Sequence, residues 1–321
     1  ICKATEHIQV MEDYLRKIIE NGYAYETDET IYFDTSKLDK YGILSNRNTD
    51  EQKTGARVDF DQNKKIPAGK GVYYPSEENY EESKKFLTCL WKQISSHFIE
   101  FDYHLIFETL NEPRPRGTSN EWWYDQNSPV CKKYMGTLNK LNQDIVNTIR
   151  ASGGNNTHRV IMVPSLAASP DAALSKDFRI PTDTVENRLA ISVHMYTPYN
   201  FAMASPGDIK FTEAHQKELS TIFRKLYNKF VSAGTPVVIG EMGATNKNNL
   251  QDRINWFNFF ITEARKNSIY TCCLWDNGVW EINENDPKDK IYSEHYGYYN
   301  RTKQTWYFPE LIKTAIKAME K

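Results

Sequence analysis

The chain has 321 residues, with 40 Lys and Arg against 42 Asp and Glu, so its formal net charge at pH 7 is -2. This balance offers no basic surface of the kind that binds nucleic acid, and the sequence contains no run of about 18 apolar residues that could cross a bilayer. We therefore expect no nucleic-acid partner and no membrane partner. Apolar residues make up 40% of the chain, which is enough for the core of one large domain or two smaller ones.

The cysteines are odd in number and show neither the CxxC spacing nor the nearby histidine pairs of a zinc site. They are Cys2, Cys89, Cys131, Cys272 and Cys273. We expect no metal and no cofactor. Cys272 and Cys273 stand together in an apolar run, where adjacent residues rarely reach disulfide geometry, so the pattern predicts two buried thiols.

The first 66 residues predict a small α+β segment. Apolar residues at helical spacing indicate an amphipathic helix over 4–20, which Gly22 would end. Alternation of aromatic and polar residues over 23–38 predicts an antiparallel hairpin, and the same alternation over 56–60 predicts a further strand. Residues 36–55 have the composition of a polar loop.

The sequence pattern changes at IPAGKG, a stretch that contains proline and glycine. After it, strand and helix patterns alternate. Ser76 is predicted to cap a helix with a buried stripe formed by Phe86, Leu87, Leu90, Trp91, Ile94 and Phe98. Five apolar runs predict strands at 104–110, 158–164, 188–196, 235–241 and 269–277. Further helices are predicted near 130–150, 212–232, 249–266 and 308–320. Apolar strands that alternate with amphipathic helices indicate an α/β fold with a parallel sheet.

Two of these predicted strands end in a carboxylate. Glu112 follows the first strand within Asn111-Glu112-Pro113, and Glu241 ends the run TPVVIGE. Barrel enzymes place their catalytic groups at the carboxyl ends of parallel strands. Two carboxylates about 5 to 5.5 Å apart are the apparatus for glycoside hydrolysis with retention, so Glu112 and Glu241 are the candidate catalytic pair.

Other strand ends supply candidate substrate-binding residues. His194 and Tyr196 are two residues apart, so their side chains lie on the same face of a strand. His194 could bind a sugar hydroxyl or support the acid, and Tyr196 could donate a hydrogen bond near the nucleophile. Trp275 could form the floor of a sugar cleft. A structural histidine and a core tryptophan remain the alternatives.

The motifs FETLNEP, ISVHMYTPYNF, VVIGEMGA and LWDNG, in this order, strongly resemble endoglucanases of glycoside hydrolase family 5. The resemblance covers residues 70–321. It implies a (β/α)8 TIM-barrel type fold, an extracellular location and retaining cleavage of internal β-1,4-glucan bonds. Glu112 would be the acid/base and Glu241 the nucleophile. Asn111 would hold the sugar 2-hydroxyl, and His194, Tyr196 and Trp275 would line the subsite before the cleaved bond.

Residues 3–65 resemble an internal segment of cysteinyl-tRNA synthetases that lacks the ATP-binding signatures of that family. Members of the hydrolase family have three further strand–helix units at this place. We therefore predict a chimeric chain, with a synthetase-like segment over 1–66 and a hydrolase domain over 67–321. Its barrel is expected to be truncated to the later strand–helix units, because an antiparallel hairpin is a poor substitute for parallel barrel strands.

Three alternatives to a β-glucan hydrolase stay open at the level of sequence. Xylan or mannan could be the substrate, because loops such as 114–128 and 197–210 set the depth of the subsites. A relic that binds glucan weakly would result if the missing units carried essential neighbours of the nucleophile. A tRNA-binding role for the first segment is the third, and the balanced charge argues against it.

Overall fold

The structure is a computed structural model, and it describes residues 8–26, 31–33, 75–283, 285 and 294–320. The chain divides into two compact units, Ile1–Ile66 and Pro67–Lys321, which we describe separately. The loop predicted at 36–55 and the strand predicted at 56–60 lie outside the described residues. None of the helices in the described ranges has the length and apolar character that crossing a bilayer requires.

The first unit contains helix α1 (Ile8–Glu20) and strands β1 (Ala24–Glu26) and β2 (Ile31–Phe33). The strands pair antiparallel, so the predicted helix and hairpin are confirmed. Gly22 has a positive φ of 75°, which lets its N–H reach the carbonyl of Ile19 and end the helix, as a glycine in the left-handed region commonly does.

The second unit alternates strands and helices. Its helices are α2 (Tyr80–His97), α3 (Pro129–Ala151), α4 (Pro170–Leu174), α5 (Tyr199–Ala202), α6 (Glu213–Lys229), α7 (Leu250–Lys266) and α8 (Pro309–Glu320). Its parallel strands are β3 (Phe107–Glu108), β4 (Ile161–Pro164), β5 (Leu189–Met195), β6 (Val237–Met242) and β7 (Cys272–Leu274). A short antiparallel hairpin follows, β8 (Tyr299–Asn300) with β9 (Thr305–Trp306), which the sequence patterns did not predict.

The five parallel strands lie in the order in which the chain makes them, and every neighbouring pair is parallel. They curl into a half-barrel with helices between the strands, so the predicted truncated barrel is confirmed. All seven residues of β5 are buried, as expected of a central strand in a parallel sheet that is covered on both faces.

Helices α3 and α7 supply much of the core around this sheet. On α3 the buried apolar residues recur every three or four positions: Met135, Leu138, Leu141, Ile145 and Ile149. Each such side chain contributes about 1.5–3 kcal/mol when it is fully removed from water. On α7 the side chains of Trp256 and Phe260 pack with ring centroids 4.8 Å apart. This packing gives the strands a rigid support.

Strand β3 is only two residues long, and buried polar side chains hold it in place. Arg159 donates to the carbonyls of Phe98, Phe101, Asp102 and Leu105, which ties the turn before β3 to the start of β4. After the strand, Thr109 donates to Asn142, and Trp91 donates to the carbonyl of Thr109. Because these groups are buried, their hydrogen bonds fix the position of residues 111 and 112, where the chain leaves the sheet after β3.

Several expectations need correction. The first and last strands of the sheet are shorter than the apolar runs at 104–110 and 269–277, because an apolar run does not reveal where a partner strand stops. Helix α2 begins at Tyr80 rather than next to Ser76, whose hydroxyl accepts from the N–H of Asn79 in the preceding turn. Leu90 is exposed, so it does not belong to the buried stripe.

The prediction of two buried thiols at the vicinal cysteines was wrong. Both thiols are free, but Cys272 is half-buried and Cys273 is exposed. The physical reason is the place of β7 in the sheet: in the described part of the chain it pairs only with β6, so it forms an edge. An edge strand lacks the neighbour that would cover its side chains.

Candidate active site

A cavity of about 630 Å³ opens at the carboxyl ends of the parallel strands. Its lining includes all six residues that the sequence singled out: Asn111, Glu112, His194, Tyr196, Glu241 and Trp275. They come from four different elements, namely the segment after β3, strand β5 and its end, strand β6, and the end of β7. The half-barrel therefore brings together side chains that are up to 164 positions apart in the sequence.

Two carboxylates, an imidazole and a phenol form the centre of this cavity. His194 Nδ1 lies 2.8 Å from Glu112 Oε1 and 3.5 Å from Glu241 Oε2. The hydroxyl of Tyr196 donates to Glu241 Oε2 over 2.7 Å. One oxygen of Glu112 and one of Glu241 lie within 4.8 Å of each other. This upper limit is compatible with the roughly 5–5.5 Å between carboxyl groups that double displacement with retention requires.

An irregularity in the sheet places His194 between the carboxylates. Val193 pairs with Ile239, but the next residue, His194, pairs with Glu241, so Gly240 is an extra residue in β6. A Cβ atom at position 240 would lie 2.8 Å from Ser192 Oγ and 3.2 Å from the imidazole of His194. An extra residue of this kind changes the direction in which neighbouring side chains point. Here it allows the imidazole of His194 to lie directly against the backbone of β6.

The protonation states follow from burial. Burial raises the pKa of Tyr196 far above its usual range, and its bond to Glu241 raises it further, so the phenol remains a hydrogen-bond donor. Partial desolvation also raises the pKa of Glu294, which lines the cavity although the residue is exposed, and the charges of Glu112 and Glu241 add to this shift. The site therefore combines a hydrogen-bond donor beside Glu241 with a third carboxyl group whose pKa is raised.

Arg114 fixes the segment that carries Glu112, although sequence reasoning did not identify it. Its Nη1 donates to the carbonyl of Glu112 over 3.0 Å and lies 3.7 Å from Glu112 Oε2. Its Nε donates to Glu121, and its guanidinium lies 3.9 Å from the ring centre of Trp122. An arginine in a polar loop has no periodic pattern that would have revealed this role.

Exposed aromatic rings border the cavity. Trp122, Trp123 and Tyr199 line it, with exposed fractions of 47%, 59% and 46%, and the rings of Trp123 and Tyr199 meet edge to face at 5.2 Å. Large exposed rings beside a groove are typical of ligand binding. Sequence reasoning did not identify these three residues as site residues. The feature that could have pointed to them is their place in the loops 114–128 and 197–210, which were expected to shape the subsites.

Glu112, His194 and Glu241 are also a donor set that could hold a divalent metal ion, since carboxylate oxygen and imidazole nitrogen both bind such ions. Each of the three already contacts another side chain of the site through hydrogen-bonding atoms. That the site works without a metal stays a prediction.

Comparisons with known proteins agree with both expected resemblances. The family model described as cellulase (glycosyl hydrolase family 5) matches residues 50–280. The model described as the class I tRNA synthetase (C) catalytic domain matches residues 1–97. Endoglucanase B of Neocallimastix patriciarum is 35% identical over 243 residues, which are 76% of this chain and 48% of that protein. The chain thus spans about half the length of this relative.

Solved structures give the same result. A mutant glycoside hydrolase 5 lichenase from Caldicellulosiruptor sp. F32 in complex with cellotetraose superposes with a TM-score of 0.72 at 39% identity, covering 77% of this chain and 66% of that one. A broad specificity endoglucanase from Ruminococcus champanellensis with bound cellotriose gives 0.68 at 36% identity, covering 76% and 66%. The chain belongs to glycosyl hydrolase family 5, the cellulase family.

Proposed function

We propose that the chain hydrolyses internal β-1,4 bonds of β-glucan chains with retention of configuration. The observation that carries this proposal is the pair Glu112 and Glu241, whose oxygens lie within 4.8 Å of each other in one cavity and are both contacted by His194. That spacing is shorter than the roughly 6.5–9.5 Å that separates the carboxyl groups of inverting enzymes.

The environments of the two carboxylates support this division of roles. Glu241 accepts a short hydrogen bond from Tyr196, which can orient it as the nucleophile. Glu112 Oε1 lies 2.8 Å from His194 Nδ1, a contact that can orient the carboxyl group for proton transfer to the leaving oxygen. Asn111 would hold the sugar 2-hydroxyl, and Trp275 would stack on the sugar before the cleaved bond.

The reaction follows in two balanced steps. Glu241 attacks the anomeric carbon while Glu112 gives its proton to the leaving oxygen, so the glycosidic bond breaks as an ester bond to Glu241 forms. Glu112, now ionised, then takes a proton from water, whose oxygen displaces Glu241 from the anomeric carbon. Both carboxyl groups return to their starting states, and no cofactor takes part.

The positions of the aromatic rings indicate which sugar they contact. Trp122 and Trp123 line the cavity on the loop that follows Glu112, and we propose that they contact the leaving-group side of the glucan chain. We propose that Trp275, which follows β7, contacts the sugar before the cleaved bond, as the family resemblance implies. The open cavity between them admits a polymer chain, which supports cleavage at internal bonds.

The relatives support β-glucan as the substrate class, since a lichenase with cellotetraose and an endoglucanase with cellotriose are among the structures that match. Xylan or mannan remains the alternative. We further propose an extracellular location with no nucleic-acid or membrane partner, and a division into a synthetase-like segment over 1–66 and a hydrolase domain over 67–321.

A catalytically impaired glucan-binding relic is the second candidate function, and the open half-barrel favours it. Glu108 Oε1, near the proposed catalytic pair, is buried and has no hydrogen-bond partner. No hydrogen bond to this atom therefore offsets the cost of burying it. Poor preorganisation of this kind would lower the rate of the chemical step while leaving the aromatic binding surface in place.

Hydrolysis assays on carboxymethyl-cellulose, mixed-linkage β-glucan, xylan and mannan test the proposal. The chain should release reducing sugar from the two glucans, while Glu241→Gln and Glu112→Gln should lose almost all activity. Glu186→Gln, which changes an exposed glutamate far from the cavity lining, is the matched control and should behave as the wild type. Chelation with EDTA should change nothing.

Equal release by the wild type and Glu241→Gln would reject the nucleophile assignment. Absence of release from all substrates, together with measurable binding of cellotetraose, would favour the relic. A preference for xylan or mannan would keep the mechanism and change the substrate class.

A further inference from the structure

Lys247 is a half-buried cation that lies just outside the lining of the catalytic cavity. It stands in the loop that follows β6, and its Nζ donates to three backbone carbonyls: Asn200 at 2.9 Å, Phe201 at 2.7 Å and Asp208 at 3.3 Å. Within the described residues it forms no ion pair with a carboxylate. Because a cation is costly to bury, its three carbonyl partners indicate a specific structural task.

The carbonyls belong to residues 199–209, which we call the cleft loop. Four residues of the cleft loop line the catalytic cavity: Tyr199, Met203, Ala204 and Ser205. Lys247 therefore binds the outer side of a loop whose inner side forms a wall of the cavity. The ammonium group of Lys247 thus joins the loop after Glu241 to this wall of the cavity.

Three neighbouring contacts show that the junction is tightly built. The N–H of Asp208 donates to the carbonyl of Asn200 over 2.8 Å, which closes the cleft loop on itself. Asn249 Nδ2 donates to the carbonyl of Ile209 over 3.0 Å. At position 207 a Cβ atom would collide with the carbonyl of Asn200 and lie 3.0 Å from Lys247 Nζ, so Gly207 is required for this closure.

We propose that Lys247 is a positioning residue that clasps the cleft loop, and that the clasp holds Tyr199 where a glucan chain is bound on the leaving-group side. The proposal rests on the proposed glucanase function. Tyr199 meets Trp123, on the loop after Glu112, so the two rings together form the surface that the clasp preserves. Glu112 and Glu241 receive no hydrogen bond from Lys247, and for this reason the clasp acts on binding rather than on bond cleavage.

Lys247→Met tests the clasp, because it keeps the length of the side chain and removes the donors. Gly207→Ala tests the same junction from the other side. Lys225→Met, at an exposed position on α6, is the matched control. Backbone hydrogen exchange should rise by about tenfold in residues 199–209 of both test variants and stay unchanged in α7, as expected when a local opening becomes easier.

The kinetic readout separates positioning from chemistry. For mixed-linkage β-glucan and cellotetraose, KM should rise by about tenfold in the test variants while kcat stays within about twofold. For an aryl cellobioside, whose two glucose units occupy only the subsites before the cleaved bond, both constants should stay close to the wild-type values. Lys225→Met should match the wild type in every measurement.

Unchanged exchange in 199–209 would overturn the clasp, whether or not the chain hydrolyses glucan. Raised exchange with an unchanged KM would overturn the positioning role. If Lys247→Met does not fold, Gly207→Ala decides by the same two criteria. If the wild type hydrolyses no glucan, the proposed function fails, and binding of cellotetraose takes the place of KM as the criterion for the clasp.

Discussion

Tyr196 donates the hydrogen bond that stabilises ionised Glu241, and burial keeps its phenol protonated. Tyr196→Phe removes this donor and keeps the ring that packs against Tyr296. Since a hydrogen bond to a charged group contributes about 1.5–3 kcal/mol, we expect kcat to fall by roughly 10- to 100-fold. KM should change little, because the bond orients the carboxylate that we propose as the nucleophile. Steady-state kinetics on β-glucan measure both constants.

Tyr227→Phe is the control for this prediction, because Tyr227 is an exposed tyrosine of α6 that does not line the cavity. It should leave both constants unchanged. A rise in KM with an unchanged kcat for Tyr196→Phe would instead place Tyr196 among the residues that bind the ground state of the substrate.

Gly240 is required by the close approach of His194 to the backbone of β6. In Gly240→Ala the new methyl group would lie 2.8 Å from Ser192 Oγ and 3.2 Å from the imidazole, so Ser192 and His194 must shift and the contact of His194 with Glu112 is disturbed. We expect kcat to fall at least about tenfold and the free energy of unfolding to fall by about 1–3 kcal/mol, the usual cost of overpacking. Urea denaturation and kinetics on β-glucan measure the two effects.

The matched control is Gly136→Ala, in the middle of α3, where an added Cβ atom meets no heavy atom within 4 Å. This variant should be more stable than the wild type by about 0.5–1 kcal/mol, since alanine is the better helix former. Full activity in Gly240→Ala would mean that the position of His194 relative to Glu112 is not important for the reaction.

At the scale of elements, strand β3 places a carboxylate where the sheet stabilises its charge only in part. Glu108 Oε1 is buried without a hydrogen bond, and burial raises the pKa of Glu108. The neighbouring Ser192 and His194 offset this shift in part, and the charges of Glu241 and Glu112 add to it. No ion pair to Glu108 is found within the described ranges. The charged form of Glu108 therefore destabilises the folded chain.

Glu108→Gln should remove the destabilising effect of the charged Glu108 carboxylate, and the gain in stability should depend on pH. Because the pKa of Glu108 is higher in the folded than in the unfolded chain, its protonated form stabilises the fold below the unfolded pKa, and this stability is lost as the pH rises through the folded pKa. The variant should thus gain about 2–4 °C in Tm at pH 8 and little at pH 4. Thermal unfolding followed by circular dichroism measures this.

Glu186→Gln provides the comparison for an exposed glutamate and should show no such dependence on pH. If Glu108→Gln is less stable than the wild type at pH 8, the charged carboxylate has a favourable partner, and the account of an uncompensated buried charge is wrong.

Helices could be predicted closely from the sequence and strands less well, for a physical reason. The apolar residues of α7 mark one helix face, so its predicted range, 249–266, differs from Leu250–Lys266 by one residue. A strand is defined by its partners, and the apolar runs around β3 and β7 extend beyond the residues that pair with a neighbour. Local periodicity contains no information on where such pairing stops.

The same distinction applies to the cavity. Glu112 and Glu241 could be singled out because a carboxylate directly after an apolar strand has few structural explanations. Tyr199 and Trp123 could not, because their place depends on the paths of two loops. Those paths are fixed by distant contacts, such as that of Lys247 with the carbonyl of Phe201, which no local pattern reveals.

At the scale of the whole molecule, the described part of the half-barrel sheet ends in an edge strand on each side. Strands β3 and β7 each have a single partner strand in the described sheet, whereas a closed barrel of this type needs eight. Partial desolvation raises the pKa of the Cys273 thiol, and the nearby charges of Glu108 and Glu241 raise it further, so this thiol lies close to both carboxylates. Its exposure shows that this region is reached by solvent at the β7 edge.

This opening predicts that Cys273 reacts with iodoacetamide in the native protein. The buried Cys131, which is 1% exposed, should not react, and serves as the internal control. Replacement of Cys2 and Cys89 by serine removes competing thiols. Because the pKa of Cys273 is raised, little thiolate is present at neutral pH, so labelling should be slow at pH 7 and faster at pH 9. Mass spectrometry of the peptide that contains residues 272 and 273 measures the extent.

Labelling of Cys273 only after addition of urea would contradict an open barrel, because the β7 edge would then be covered in solution. Such a result would also weaken the case for an impaired relic, since the exposure beside the catalytic pair is the observation on which it depends. Labelling of the native protein together with hydrolysis of β-glucan would instead mean that the five described strands are sufficient to hold Glu112 and Glu241 in a productive geometry, without closure of the barrel.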